Sequence, residues 1–166
     1  RTELKYADSV TALVRSLNQT IYSNKHKRMF VSFVTGFLDL DKPALTFANC
    51  GHPPLLHYDA KSKTVSSHRT GDPALGLSEQ SIYSQGCIAL AAGDVLLFFS
   101  DGLTETIDAG GREFSQERLQ RFVLDHADKQ PQVIYSQLVR TVAQHRAGNA
   151  QLDDITVLII KINQDT

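Results

Sequence analysis

Asp101 stands directly after the apolar run Val95 to Ser100, and Asp153 and Asp154 stand directly before the run Ile155 to Ile162. If these runs are antiparallel neighbours, the end of one lies beside the start of the other. The carboxylates of Asp101 and Asp153 then share one rim of a sheet. Two carboxylates held close repel, which costs free energy unless a proton or cation sits between them. Hard oxygen ligands of this kind suit Mg²⁺ or Mn²⁺. Glu105, one turn beyond Asp101, adds charge to the same rim. Each acid also has an ordinary use, since Asp-Gly is a common turn pair and Asp before a strand is a solvated cap.

Other chemistries find less support. There is no Walker-type phosphate loop, no dinucleotide fingerprint and no Gly-x-Ser-x-Gly elbow. The histidines His26, His52, His57, His68, His126 and His145 never pair at metal-ligand spacing, which argues against zinc. Ser100 precedes Asp101, but no His–Asp pair supports it as a nucleophile. Asn49-Cys50-Gly51-His52-Pro53-Pro54 reads by itself as a punctuated loop, and Lys25 to Arg28 as a solvated basic turn.

The elements that must position these residues follow from periodicity. Val10, Leu13, Val14, Leu17 and Ile21 predict an amphipathic helix over Ala7 to Ser23, capped by Asp8 or Ser9. Met29 to Leu38 is apolar on both alternating sets and predicts a strand covered on both faces. Ala44 to Cys50, Leu55 to Tyr58, Thr64 to Arg69, Ile82 to Leu90 (with Gly86 a bulge), Val95 to Phe99 and Ile155 to Ile162 read as further strands. Phe33, Leu97, Phe98 and Ile159 are expected in the core. A helix after Ser115, with Ser115 as cap and Phe114 and Leu119 as a hydrophobic staple, precedes a second one. That second helix starts at Pro131, buries Ile134, Leu138 and Val142, and ends at Gly148.

The chain has 166 residues, 42% of them hydrophobic, and a net charge of −1. One domain spanning residues 1–166 is the expected organisation, burying roughly 70% of the unfolded surface. No basic stripe interleaved with aromatics marks a nucleic-acid platform. No apolar run reaches the ~20 residues that span a bilayer. Cys50 and Cys87 are too few for a disulfide framework and are read as two buried thiols, which fits a reducing, cytoplasmic setting. The first residue is Arg1, so the sequence reads as a piece of a longer chain.

The motifs in order carry more than any one alone. Met29-Phe30-Val31-Ser32-Phe33 and Gly36-Phe37-Leu38-Asp39 come first, then Phe47-Ala48-Asn49-Cys50-Gly51-His52-Pro53-Pro54 and Leu75-Gly76-Leu77. Gly93-Asp94-Val95-Leu96-Leu97-Phe98-Phe99-Ser100-Asp101-Gly102-Leu103-Thr104-Glu105 follows, and Asp153-Asp154-Ile155-Thr156 closes the series. This succession, from about Ala7 to Ile162, resembles the stage II sporulation protein E-like branch of the PPM-type, metal-dependent serine/threonine phosphatases. The resemblance implies an α+β, α-β-β-α sandwich of two largely antiparallel sheets flanked by helices, with metals at one end of the sheets. It implies a two-metal centre of Mn²⁺ or Mg²⁺ and a water that attacks the phosphorus of phosphoserine or phosphothreonine. By the same likeness Asp101 and Asp153 match metal ligands, and Asp154 sits in the neighbouring slot. Glu105, Gly102, Asn49, Gly51 and His52 match positions that shape the site.

One departure is large. The family's first motif, Asp-x-Ser-Gly-x-Gly, should precede the first helix and supply the carboxylate that bridges the metals, but nothing in Arg1 to Tyr6 matches it. The domain is therefore expected to be truncated at its N-terminus and inactive as this fragment. The implied substrate is a phosphorylated anti-sigma-factor antagonist, with a sensor or receiver domain upstream, no nucleic acid, no membrane insertion, and a homodimer left open. The alternative is a catalytically silent phosphatase-like module that recruits a protein partner.

Overall fold

In the computed structural model, residues 9–24 and 29–163 are described. The expected basic turn Lys25–Arg28 and the cap candidate Asp8 lie outside them. The chain is mixed α+β, with two antiparallel sheets and helices packed on each. Its contacts divide into two compact units.

The first unit runs to His52 and takes in Arg69–Ala89. Helix α1 (Val10–Asn24) starts where expected for a Ser9 cap. The Ser9 hydroxyl accepts the Ala12 N–H at 3.1 Å, which satisfies a donor that the first helical turn leaves unpaired. Strands β1 (Phe33–Asp39), β2 (Ala44–Cys50) and β5 (Gly86–Ala89) form a sheet in the order β1-β2-β5. The Asp39 carboxylate closes the β1–β2 turn by accepting the N–H groups of Asp41 and Lys42. Helix α1 lays Val10 and Val14 against Ala48, Cys50, Leu75 and Tyr83.

Several expectations change here. Met29 and Phe30 are about three-fifths exposed rather than covered. Among the described residues the segment before β1 pairs only through the bridge Val31–Leu75, and β1 lies at the sheet edge. Gly86 pairs in regular register with Phe47, so it opens a short strand instead of bulging a long one. Cys50 is buried, but Cys87 is exposed on the edge strand β5. Both cysteines are free.

The second unit comprises Pro53–His68 and the chain from Leu90 onward. Its sheet has the order β4-β3-β6-β7, from β3 (Leu55–Asp59), β4 (Thr64–His68), β6 (Val95–Phe99) and β7 (Val157–Lys161). Val95, Leu97 and Phe99 alternate to one face and pack on α3 (Gln116–His126) and α4 (Pro131–Arg146) through Leu119, Phe122, Ile134, Leu138 and Val142. Leu97 is fully buried as expected, whereas Phe98 and Ile159 are half-buried, as is Phe33 of β1. Among the described residues β7 lies at the edge of the sheet, and its Leu158 is exposed.

Pro131 occupies the first turn of α4, and Ala147 ends that helix in the left-handed region. Ser115 precedes α3 but makes no side-chain cap. Backbone bonds from Ser115 N–H to Thr104 and from Phe114 N–H to Thr106 fix it at φ +68, so its hydroxyl does not reach the helix donors. The staple pair Phe114 and Leu119 is buried in one core. Lys161 donates to the carbonyls of Ala127, Asp128 and Lys129, placing a cation at the negative end of α3.

A buried pair joins β3 to the turn before β6. His57 and Asp94 are 7% and 2% exposed, and their Nε2 and Oδ2 lie 2.9 Å apart. Asp94 also accepts the N–H groups of Ala60 and Ala91. Three partners thus satisfy a carboxylate that would be costly to bury alone.

Candidate metal centre

Strands β6 and β7 are antiparallel neighbours, with Val95 opposite Lys161 and Phe99 opposite Val157. The end of β6 therefore lies beside the start of β7. Past the last strand pair, the Ser100 N–H donates to the Thr156 carbonyl at 3.0 Å. The Ser100 hydroxyl accepts the Thr156 N–H at 2.9 Å and donates to the Asp154 carbonyl at 3.0 Å. This side chain extends the ladder by one rung and clamps the Asp153–Asp154 segment to the strand end that carries Asp101. Sequence reasoning weighed Ser100 only as a nucleophile and missed this role.

Asp101 opens the short helix α2 (Asp101–Thr104), which the strand pattern did not predict. Its carbonyl accepts the Glu105 N–H at 2.9 Å, which turns the chain and carries Glu105 away from the strand axis. Gly102 sits where the two chain segments touch. A Cβ there would stand 2.6 Å from the Asp154 carbonyl oxygen and 3.3 Å from the Asp153 Cβ. Only a residue without a side chain lets the segments approach so closely.

The acids themselves contribute little to this frame. Among the described residues, Oδ1 of Asp101 accepts only the next residue's N–H, and so does Oδ1 of Asp153. Asp101, Asp153 and Asp154 are exposed, and among the described residues none has a cation within 4.0 Å. Solvent screens their repulsion, so the rim tolerates them without a counter-ion. In kind, such oxygens fit a hard divalent cation. In number they fall short, because no group of three His, Cys, Asp or Glu side chains among the described residues is placed to hold one.

A cavity of about 250 Å³ opens beside this rim, lined by Gly102, Glu105, Thr106, Ile107, Glu113, Gln151, Leu152 and Asp153. It brings Glu105 and Asp153 to one space. Gln151, which the sequence reading did not single out, donates from Nε2 to the Asp153 carbonyl at 2.9 Å. The loop from Ile107 to Glu113 is braced by Asp108, whose carboxylate accepts the backbone N–H groups of Gly110 and Arg112 and the Arg112 side chain. These bonds, the Arg112 backbone N–H foremost, hold the Asp108 carboxyl down at about 2.

Asn49, Gly51 and His52 lie in the other unit and are engaged in a turn there. The buried Asn49 accepts the His52 N–H through Oδ1 at 3.1 Å and donates its own N–H to Thr70. Gly51 donates to the Asp72 carbonyl at φ +68, where a Cβ would meet Ala74 at 2.9 Å. His52 Nδ1 lies 3.4 Å from the Ser32 hydroxyl. Burial, with Asp72 nearby, pushes the Cys50 thiol in this turn up to about 12.

The second unit thus carries its acidic rim on backbone contacts, where the end of the internal strand β6 meets the start of β7 at the sheet edge. The profile of the family described as Stage II sporulation protein E (SpoIIE) matches residues 1–163, and the chain belongs to that family of metal-dependent PP2C-type phosphatase domains. It is 27% identical over 153 residues to the phosphoserine phosphatase RsbU of Bacillus subtilis, covering 90% of this chain and 44% of RsbU. The SiaA-PP2C domain of Pseudomonas aeruginosa superposes with a TM-score of 0.80 at 21% identity, over 93% of this chain and 61% of that one. The manganese-presoaked phosphatase domain of the cell-fate determinant SpoIIE from B. subtilis gives 0.70 at 19% identity, over 99% and 72%. The chain thus spans less than half the length of RsbU and about three-fifths of the SiaA domain.

Proposed function

We propose that this chain is the greater part of a bacterial, cytoplasmic protein-serine/threonine phosphatase domain that works with Mn²⁺ or Mg²⁺. Asp101 and Asp153 are its metal ligands in this reading. The observation that supports it most is the β6–β7 register, extended by Ser100 and Gly102, which sets the strand end that carries Asp101 beside the segment that carries Asp153. A divalent pair would supply Lewis-acid activation of water and neutralise charge on the transferring phosphoryl group. The chain's own residues do the rest: Ser100 and Gly102 fix the rim, Asp154 adds negative charge, and Glu105 lines the neighbouring cavity. Asn49, Gly51 and His52 act through the turn they build. The substrate class is a phosphorylated signalling protein of the anti-sigma-factor-antagonist type, with a sensor or receiver domain in the parent chain.

The test is hydrolysis of a phosphoserine peptide by a chain that carries the Asp-x-Ser-Gly-x-Gly motif upstream of Arg1. Turnover should require Mn²⁺ or Mg²⁺ and stop with excess chelator. Asp101→Asn and Asp153→Asn should each cut it steeply, and Asp154→Asn less. Unchanged turnover in either of the first two, with the fold intact, removes that residue from the centre. The second reading, a silent module that recruits a protein partner, is favoured by the lack of a third converging ligand among the described residues. It predicts no turnover with the motif restored.

A further inference from the structure

The second unit holds a larger cavity, of about 480 Å³, that the rim does not use. It lies between α4 and the segment from Gln151 into β7, walled by Leu103, Tyr135, Val139, Val142, Ile155 and Val157. Its volume falls within the roughly 300–1,000 Å³ typical of sites that hold small molecules. Tyr135 and Val139 are 45% and 50% exposed, so α4 carries more apolar surface than its own sheet covers. Among the described residues lining the cavity, Arg146 is the single charged one, and no carboxylate faces it there.

The Arg146 Nε is buried and has no hydrogen-bond partner among the described residues. Its Nη1 makes one long bond, 3.3 Å to Gln151 Oε1. The Nε is closed to the cavity, so a carboxylate would meet the guanidinium at its Nη edge, where the planar fork of donors has this one long bond. An apolar cavity with one under-used fork is complementary to an apolar body with a single anionic head.

We infer that this cavity binds an apolar carboxylate, with the hydrocarbon body against Val139, Val142 and Val157 and the head on Arg146. The site also touches the acidic rim. Gln151 joins Arg146 through Oε1 and the Asp153 carbonyl through Nε2, and Leu103 follows directly on Asp101 and Gly102. A carboxylate that engages Arg146 competes for Gln151's partner and so changes the bond that restrains Asp153. The inference goes beyond the phosphatase reading and needs neither metal nor turnover.

The experiment uses decanoate and decanol as probes, below micelle-forming concentrations, in metal-free buffer. Calorimetry should find one saturable decanoate site, with decanol weaker by about tenfold or more, the scale of one charge-assisted contact. Arg146→Met keeps the stem but removes the fork; it should weaken decanoate by about the same factor and leave decanol unchanged. Val139→Trp, at an exposed position the fold does not need, should block both probes. The Gln151 side-chain amide resonances should move on decanoate binding. The inference is overturned by equal affinity for the two probes, by wild-type decanoate affinity in either variant, by a still Gln151 amide, or by no saturable binding. Each outcome is read in metal-free protein, so failure here leaves the phosphatase reading standing, and loss of that reading leaves this one untouched.

Discussion

Gly102→Ala separates the frame of the rim from the stability of the fold. The added Cβ would sit 2.6 Å from the Asp154 carbonyl oxygen, against about 3.4 Å for ordinary contact, so that oxygen must retreat by about 0.8 Å. The obstacle is backbone, not the flexible end of a side chain, and the Ser100 hydroxyl donates to the same carbonyl. Overpacking of this kind costs typically 1–3 kcal/mol, while Ala in place of Gly inside a helix returns about 1 kcal/mol. The net loss is about 0–2 kcal/mol, a fall in Tm of at most about 8 °C for a chain of this size. A site displaced by about 1 Å can lose on the order of 100-fold in rate. Turnover should therefore fall by about 10- to 100-fold while the protein stays folded. The assay pairs phosphoserine-peptide hydrolysis, in a chain with the upstream motif, with Mn²⁺ calorimetry and thermal melting of the same preparation. Wild-type turnover and Mn²⁺ affinity in Gly102→Ala would refute the reasoning, because the close approach would then not set the rim.

Further outcomes follow from the rest of the molecule. In native protein at about pH 8, a thiol reagent should label Cys87 quickly and Cys50 only after denaturation, since only exposed thiolate reacts; two fast thiols would put Cys50 at the surface. Asp94→Ala should cost about 3–5 kcal/mol by urea unfolding, because it strands His57 and two backbone N–H groups; a loss under about 1 kcal/mol would mean the pair is solvated. Asp108 has a folded pKa of about 2, below its ordinary 3.8, so its contribution is present above 3.8 and is lost as pH falls through about 2. The melting difference between wild type and Asp108→Asn should therefore close across that window; a pH-independent difference would contradict the assignment.

What was legible in the sequence was what periodicity and chain order encode. The face Ile134, Leu138 and Val142 of α4 repeats every fourth residue, and Pro131 marks its start, so both were readable. The rim was readable because β6 and β7 have acids at ends that antiparallel pairing brings together. Periodicity does not say which strand lies at an edge. The two-sided apolar runs of β1 and β7 therefore looked covered, and Cys87 on β5 looked buried. Contacts between distant residues were equally hidden: His57 meets Asp94 across 37 positions, and Ser100 meets Asp154 across 54. Each of those side chains has a plausible local use in a turn or loop, and only the assembled sheet selects the other one. Ser115 is the converse case, a good cap by type that the backbone pairing of its neighbours turns away from the helix.

The rim bears on the choice between an enzyme and a silent module. Backbone pairing, the Ser100 hydroxyl and the bare Cα of Gly102 build it. Among the described residues, the carboxylates of Asp101 and Asp153 each bond only to an adjacent N–H. In structural metal sites such as zinc fingers, removing a ligand unfolds the domain. Here the fold would survive the loss of its acids, so Asp→Asn substitutions at this rim report on chemistry and not on folding. The acids are exposed and screened by solvent, and among the described residues no structural contact depends on them beyond an adjacent N–H. A partner-recruiting module has no structural need of these charges, whereas a centre that binds a divalent cation needs both. That asymmetry supports the phosphatase reading over the silent one.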